Sequence, residues 1–189
     1  MTTLKEKLNK LSENLEANNL PVLKYLQKGL NREDIIKTFN DNGIFLNESL
    51  IQLYEWHNGV PFPDLPAKSG RFDLVPMIMF YSLDYMLLRR KDIQRWNYFN
   101  DINDFLPIFG SSEDDIYLVK NDESGIIYYL APAIGIYGEY DMNSIETLID
   151  YIYECQVEKV LTYSVDEEFQ VNYEVWGNLG NKFKESFNN

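Results

Sequence analysis

The fold is decided by the stretch Ile116-Tyr-Leu-Val-Lys-Asn-Asp-Glu-Ser-Gly-Ile-Ile-Tyr-Tyr-Leu130, in the second half of this 189-residue chain. Its two ends, Ile116-Tyr-Leu-Val119 and Ile126-Ile-Tyr-Tyr-Leu130, are rich in β-branched and aromatic residues, which favour strands. Between them, Asn121-Asp-Glu-Ser-Gly125 has the polar residues and the glycine of a short connection. The stretch therefore predicts an antiparallel β-hairpin.

Further strands are predicted on both sides of this hairpin. Phe72 to Tyr81 is apolar but contains Pro76, which predicts an edge strand or an interrupted one. Phe105-Leu-Pro-Ile-Phe109 precedes the hairpin, and Ala133 to Glu139 follows it. Strands that follow one another along the chain in this way are expected to pair with their sequence neighbours.

Helical patterns lie before and after these strands. Apolar residues at helical spacing predict an N-terminal helix, a helix that Asn47 caps and a later helix that Ser144 caps. The apolar positions of the first and last helices are Leu4, Leu8, Leu11, Leu15, Ile145, Leu148, Ile149 and Ile152. Helices around a strand meander predict an α+β fold, an antiparallel β-sheet flanked by helices with a helical N-terminal segment. Because the sequence contains no linker, residues 1–189 are expected to form one domain.

The C-terminal segment, residues 156–189, gives weaker signals. Val157 to Val165 fits either a strand or a continued helix, and Val171 to Trp176 alternates only weakly. The glycine pairs in Gly135-Ile-Tyr-Gly138 and Gly177-Asn-Leu-Gly180 follow no phosphate-binding pattern. We interpret both pairs as turns or bulges.

Composition excludes several classes of function. The net charge of −13 and the pI of about 4.5 argue against a nucleic-acid partner, because such proteins must neutralise phosphates. The single cysteine excludes an internal disulfide, and the single histidine excludes a histidine-rich metal site. The N-terminus has no apolar leader and the longest apolar run is too short to span a bilayer, so a cytoplasmic protein without a membrane partner is expected.

The acidic residues are distributed unevenly along the chain. Residues 1–100 carry 13 basic and 12 acidic side chains, a net charge of +1, whereas residues 101–189 carry 4 and 18, a net charge of −14. Such an asymmetry predicts a surface of strong negative potential that could attract a basic partner. The alternative is a well-solvated acidic surface without a dedicated partner.

Three features of the sequence have residue types that are used in catalysis or metal binding. His57 ends a helix, where a structural role at free carbonyls is favoured over general-base catalysis. Cys155 has no basic neighbour before Lys159, so nothing lowers its pKa and a core position is expected. The cluster Glu113-Asp114-Asp115 is interpreted as a solvated turn, with partner contact and a metal or catalytic role as alternatives. We therefore expect no catalytic, cofactor-binding or metal site.

Three stretches, taken together, resemble the SUKH superfamily. The first is Gly43-Ile-Phe-Leu-Asn-Glu-Ser-Leu-Ile-Gln-Leu-Tyr-Glu-Trp-His-Asn-Gly59, in which Asn47 stands where the family often has proline. The second is Phe105-Leu-Pro-Ile-Phe-Gly110 followed by Ile116-Tyr-Leu-Val119. The third is Gly125-Ile-Ile-Tyr-Tyr129 followed by Ser144-Ile-Glu-Thr-Leu-Ile149. The resemblance covers about 30–154, and residues 156–189 form a C-terminal extension to it.

The resemblance implies a helix-flanked antiparallel sheet and no enzymatic activity. In bacteria it most often implies an immunity protein that binds and neutralises a cognate toxin, and the acidic half suggests a basic, nuclease-type toxin. The residues that we expect to contact this partner lie in turns around the sheet: Glu113, Asp114, Asp115, Asp122, Glu123, Glu139, Tyr140 and Asp141. The alternative function is a SUKH-fold scaffold or regulator that has no toxin partner. The sequence leaves the oligomeric state open.

Overall fold

A computed structural model describes residues 2–61, 71–95, 104–111, 115–131, 136–164 and 169–185. Within these ranges the fold is α+β, as predicted. The helices are α1 (Leu4–Ala17), α2 (Arg32–Asp41), α3 (Glu48–Trp56), α4 (Leu83–Arg95), α5 (Ile145–Val157) and α6 (Tyr173–Glu185). The strands are β1 (Asp73–Val75), β2 (Ile78–Phe80), β3 (Phe105–Gly110), β4 (Ile116–Lys120), β5 (Ile127–Ala131), β6 (Ile136–Met142), β7 (Leu161–Tyr163) and β8 (Phe169–Val171). A short 3-10 helix, Pro21–Lys24, follows α1.

Strands β1 to β6 form one antiparallel sheet in which each strand pairs with its sequence neighbours. The predicted hairpin is its centre, with Tyr117 opposite Tyr129 in β4 and β5. The predicted interruption at Pro76 is confirmed, because β1 ends at Val75 and β2 begins at Ile78. Gly138 has no opposite residue in β5, because the β5–β6 register shifts there, and this confirms the predicted bulge. Gly135 lies outside the described residues.

Helices lie on both faces of this sheet. On one face, α1, α3 and α5 share the main core with strand residues such as Val119 and Ile127. On the other face, Ile93 of α4 packs in a smaller cluster with strand residues that include Leu118 and Leu130. The alternation of side chains along β4 and β5 separates the two clusters, because successive residues point to opposite faces. The sheet is therefore flanked by helices, as the sequence predicts.

The N-terminal helix is fixed by its cap and by its apolar face. Thr3 and Glu6 form a capping box, each side chain accepting a hydrogen bond from the other residue's backbone N–H. The four leucines predicted to face the core, Leu4, Leu8, Leu11 and Leu15, are all buried. This face packs against α5, where Lys7 also forms an ion pair with Asp150 (Nζ to Oδ2, 2.5 Å).

The main core contains a row of aromatic rings that joins helices to strands. Phe39 of α2 contacts Tyr54 of α3 edge-on, and the Tyr54 ring lies 5.3 Å from Phe80 of β2. Phe80 in turn lies 5.1 Å from Phe109 of β3. Because these four side chains are fully buried, they hold α2 and α3 at a fixed position on the sheet.

The C-terminal segment forms a hairpin and a helix. Helix α5 ends at Val157, and β7 and β8 then pair with each other. The prediction of a turn at Gly177–Gly180 is wrong, since both glycines lie inside α6. Leu179 is buried and Phe183 packs on Tyr151 of α5, so tertiary contact outweighs the helix cost of about 0.5–1 kcal/mol per glycine.

Candidate partner-binding site

The structure separates the predicted contact residues into two groups. Asp122 and Glu123 lie in the β4–β5 turn, at one end of the sheet. Asp115, which directly precedes β4, and Asp141 of β6 lie near the paired rings of Tyr117 and Tyr129. Of the other predicted contacts, Glu139 and Tyr140 belong to β6. Glu113 and Asp114 lie outside the described residues. Asp122 and Glu123 are therefore separate from Asp115 and Asp141, and contact of the eight predicted residues with a partner stays a prediction.

The β4–β5 turn is tied to the loop between α2 and α3 by two asparagines. Asn47 caps α3 by accepting from the backbone N–H of Ser49 at 2.9 Å, and its amide nitrogen donates to the carbonyl of Asp122 at 3.1 Å. Asn121 accepts from the backbone N–H of Phe45 at 2.8 Å. These bonds hold the loop and the acidic turn in one arrangement.

Beside this junction, two large apolar side chains are exposed. Phe45 and Leu46 keep 46% and 43% of their surface accessible, although both are adjacent to the buried cap residue Asn47. They line a shallow cavity of about 330 Å³ together with the carboxylate-bearing residues Glu48, Glu123 and Glu146. We call these five residues, Phe45, Leu46, Glu48, Glu123 and Glu146, the Phe45 surface.

The carboxylates of the Phe45 surface differ in their partners. Glu48 pairs with Arg32, whose guanidinium donates to both carboxylate oxygens, and this hydrogen bonding lowers the pKa of Glu48. Glu146 accepts a hydrogen bond from the hydroxyl of Ser49 at 2.5 Å. Glu123 is exposed on the turn. The surface therefore combines an apolar centre with a negatively charged edge.

The second group surrounds a cavity beneath α6, which we call the tyrosine cavity. Its walls are the rings of Tyr117, Tyr129, Tyr151, Tyr173, Trp176 and Phe183, and its volume is about 330 Å³. Asp141 also lines it, and burial together with the negative charge of Asp141 raises the pKa of Tyr117 well above its usual range. The predicted contact residues Asp115 and Asp141 are each only 8% exposed, so neither lies on an open surface.

His57 and Cys155 have structural surroundings. The Nδ1 atom of His57 lies 2.9 Å from the carbonyl oxygen of Gln27, which ties the end of α3 to the segment after the 3-10 helix. Cys155 is buried in α5, and this burial raises its pKa to about 12. Among the described residues, no group of three or more histidine, cysteine and carboxylate side chains is arranged to hold a metal ion.

Sequence reasoning missed the apolar half of the Phe45 surface and the aromatic walls of the tyrosine cavity. A signal for the former was present, because Phe45 and Leu46 stand together in a loop between Gly43 and the cap Asn47. Two adjacent apolar residues in a loop, outside any helical or alternating pattern, indicate exposed apolar surface. The tyrosine cavity had no such signal, since its residues come from five separate elements.

Comparison with known proteins gave no identification: the chain matches no family model and no curated protein. No helix in the described ranges is both long enough and apolar enough to cross a membrane.

Proposed function

We propose that this protein is a non-enzymatic immunity protein of the SUKH type, which binds and neutralises a basic protein toxin in the cytoplasm. The observation that carries the proposal is the Phe45 surface, where exposed apolar side chains stand beside carboxylates. Protein interfaces commonly have an apolar or aromatic centre and a polar edge. The proposed partner contacts this surface and covers Phe45 and Leu46.

The apolar centre supplies the binding energy in this proposal. Complete burial of a phenylalanine or leucine side chain contributes about 1.5–3 kcal/mol relative to exposure. Phe45 and Leu46 retain nearly half of their surface, so a partner can still bury a substantial part of both. Aromatic side chains at the centre of an interface often account for much of its affinity.

The charged edge supports a basic partner. Glu123 and Glu146 lie on the same side of the molecule as the apolar pair, whereas the charge of Glu48 is partly balanced by Arg32. The half of the chain after residue 100 carries a net charge of −14, which attracts a positively charged protein over longer distances. Nucleases fit this description because they present positive charge where they hold phosphates.

The fixed loop supports high affinity. The hydrogen bonds of Asn47 and Asn121 hold Phe45 and the acidic turn in place before any partner arrives. A surface that is already ordered loses less conformational entropy on association. A rigid, non-catalytic contact surface is consistent with an inhibitor that acts by occlusion.

The test is protection of cells from a toxin encoded beside the gene for this protein. Cells that express the toxin should survive with the wild-type protein and die with the double variant Phe45→Ser/Leu46→Ser. The control is Leu88→Ser, because Leu88 is 47% exposed on α4 and lies outside the Phe45 surface. Equal killing with and without the wild-type protein would contradict the proposal, and a housekeeping partner in place of a toxin would favour the scaffold alternative.

The electrostatic part has its own measurement, the association rate at increasing ionic strength. Steering by opposite charges weakens as the Debye length falls from about 10 Å at 0.1 M salt to about 3 Å at 1 M. The double variant Glu123→Gln/Glu146→Gln should associate more slowly at low salt and match the wild type at high salt. Asp115 is unsuitable for this test because it is buried and its backbone is hydrogen-bonded to Ser111. An association rate that salt does not change would show that the acidity has no steering role.

A further inference from the structure

Six of the eleven residues that line the tyrosine cavity are aromatic. The rings of Tyr117 and Tyr129 lie 5.1 Å apart on the sheet, and Tyr173 and Trp176 face this region from α6. Trp176 is partly buried and packs against the main core. An aromatic face carries negative charge density, so a cavity of this kind attracts positive charge.

Carboxylates add to this negative character. Asp141 lines the cavity and is only 8% exposed, and burial together with the negative charge of Asp115 raises the pKa of Tyr129. In the described part of the chain, no lysine or arginine lines the cavity. On α6, the ammonium nitrogen of Lys182 lies 5.9 Å from the centre of the Phe183 ring. Both the walls and the charges therefore select for a cation.

Two glycines of α6 form part of the cavity lining. Gly177 and Gly180 lie inside α6 and line the cavity, and a β-carbon added to either would have no atom within 4 Å. Neither has a positive φ, so neither close packing nor backbone conformation requires glycine there. Glycine weakens a helix relative to alanine. What the missing side chains provide at these positions is empty volume.

From these observations we propose that the tyrosine cavity is a binding site for an organic cation, an alkylammonium or guanidinium group, which stacks on the aromatic walls and pairs with Asp141. The volume of about 330 Å³ is at the small end of the range for ligand sites, which suits a small molecule or one side chain. This proposal is independent of the Phe45 surface. The cation can come from a free metabolite or from an arginine or lysine of a bound protein, and the two sources share the same chemistry.

The experiment uses the full-length protein and follows the indole N–H resonance of Trp176, assigned with Trp176→Phe. The probes are choline, which represents a free quaternary ammonium, and N-acetyl-arginine methylamide, which represents a side chain of a partner. The neutral control is 3,3-dimethyl-1-butanol, which has the shape of choline without its charge. At least one of the two cations should bind. If choline is the ligand, it should bind at least about fivefold more tightly than the alcohol, because a cation–π contact contributes about 1 kcal/mol. Binding by neither cation would overturn the proposal, and so would equal binding by choline and the alcohol when N-acetyl-arginine methylamide does not bind.

Variants locate the site and separate binding from folding. Asp141→Asn should weaken cation binding at least about fivefold, as the loss of one close charged partner implies. The control Glu174→Gln removes the same charge from an exposed position on α6 and should leave binding unchanged. Should Asp141→Asn fail to fold, Tyr173→Leu removes a wall residue that is 72% exposed and contributes little to packing.

The glycines give the most specific test. Gly177→Ala and Gly180→Ala should each raise the melting temperature, because alanine favours the helix and has room at both positions. In the same variants cation binding should weaken, because the added methyl groups occupy the cavity. A variant that is more stable and binds as well as the wild type would contradict a role for this volume.

Discussion

Asn47 is bonded to Asp122 across a sequence separation of 75 residues, through a hydrogen bond from its side-chain nitrogen to the Asp122 carbonyl. The oxygen of the same amide caps α3 by accepting from the backbone N–H groups of Ser49 and Leu50. One buried side chain therefore starts a helix and fastens the β4–β5 turn to it. The position of the acidic turn relative to Phe45 depends on this contact.

Replacing Asn47 with alanine should lower the free energy of unfolding by about 2 kcal/mol, since a helix cap and a buried hydrogen bond are lost together. For a chain of this length, that corresponds to a fall in melting temperature of about 4–8 °C. The matched control is Asn31→Ala, because Asn31 precedes α2 without a side-chain capping bond. Equal effects of the two substitutions, measured by urea denaturation, would contradict the double role of Asn47.

Gly59 and Gly43 allow backbone strain to be separated from steric clash. Both have φ near +60°, but a β-carbon at Gly59 would lie 2.4 Å from the carbonyl of Tyr81, whereas one at Gly43 would meet nothing within 4 Å. Gly43→Ala should therefore lower the free energy of unfolding only by the strain of the left-handed backbone conformation, about 1–2 kcal/mol. Gly59→Ala should cost clearly more or prevent folding, and thermal unfolding followed by circular dichroism measures the difference. If the two variants were equally stable, the close approach of Gly59 to Tyr81 would be without consequence.

Asp73 should make stability depend on pH. Its carboxylate accepts from the backbone N–H of Met77 in the β1–β2 turn, but burial raises its pKa to about 6, above the value in the unfolded chain. The folded state therefore binds a proton more tightly, so this contribution is fully present below about pH 4 and is lost as the pH rises through about 6.

Asp73→Asn keeps an acceptor for Met77 and removes the charge. The free energy of unfolding of this variant, relative to that of the wild type, should rise by about 2 kcal/mol between pH 4 and pH 7. This figure allows for partial solvent screening of the charge. The control is Asp84→Asn, which removes the same charge from an exposed position in the first turn of α4. Urea denaturation of the three proteins at several pH values measures the effect, and a difference that does not vary with pH would contradict it.

Cys155 should react with a disulfide reagent only when the protein opens. It is fully buried in α5, and its pKa of about 12 leaves little of the reactive thiolate at pH 8. The reaction should be slower in the native protein than in the urea-unfolded protein by roughly a thousandfold or more. The chain has a single cysteine, so the absorbance change reports this site alone. Similar rates in the native and unfolded protein would show that the thiol is accessible.

Local signals in the sequence were sufficient for most of the secondary structure. The hairpin of β4 and β5, the cap at Asn47 and the leucine face of α1 each depend on residues close together in the chain, and each is confirmed. Pro76 also predicted the interruption between β1 and β2. These features depend on turn chemistry and periodicity, which a single sequence displays directly.

Features that depend on distant contacts were not predictable in this way. Gly177 and Gly180 favour a turn locally, but packing of α6 on α5 places them in a helix. Asp141 has the chemistry of a surface residue, yet the rings around the tyrosine cavity bury it. Pairing of Asp122 with Lys120 likewise depends on the geometry of the turn, which brings their charged groups to 2.8 Å.

The packing of α1 on α5 has a consequence for synthesis of the chain. Lys7 and Asp150 are separated by 143 residues, so the first helix leaves the ribosome long before its partner exists. At about 5–20 residues per second, the interval is roughly 7–30 s. During that time α3 is the only one of the two helices packed on α1 that has been made, so the part of the leucine face that α5 covers stays exposed. Completion of the core is thus a late event, which requires translation to have passed α5.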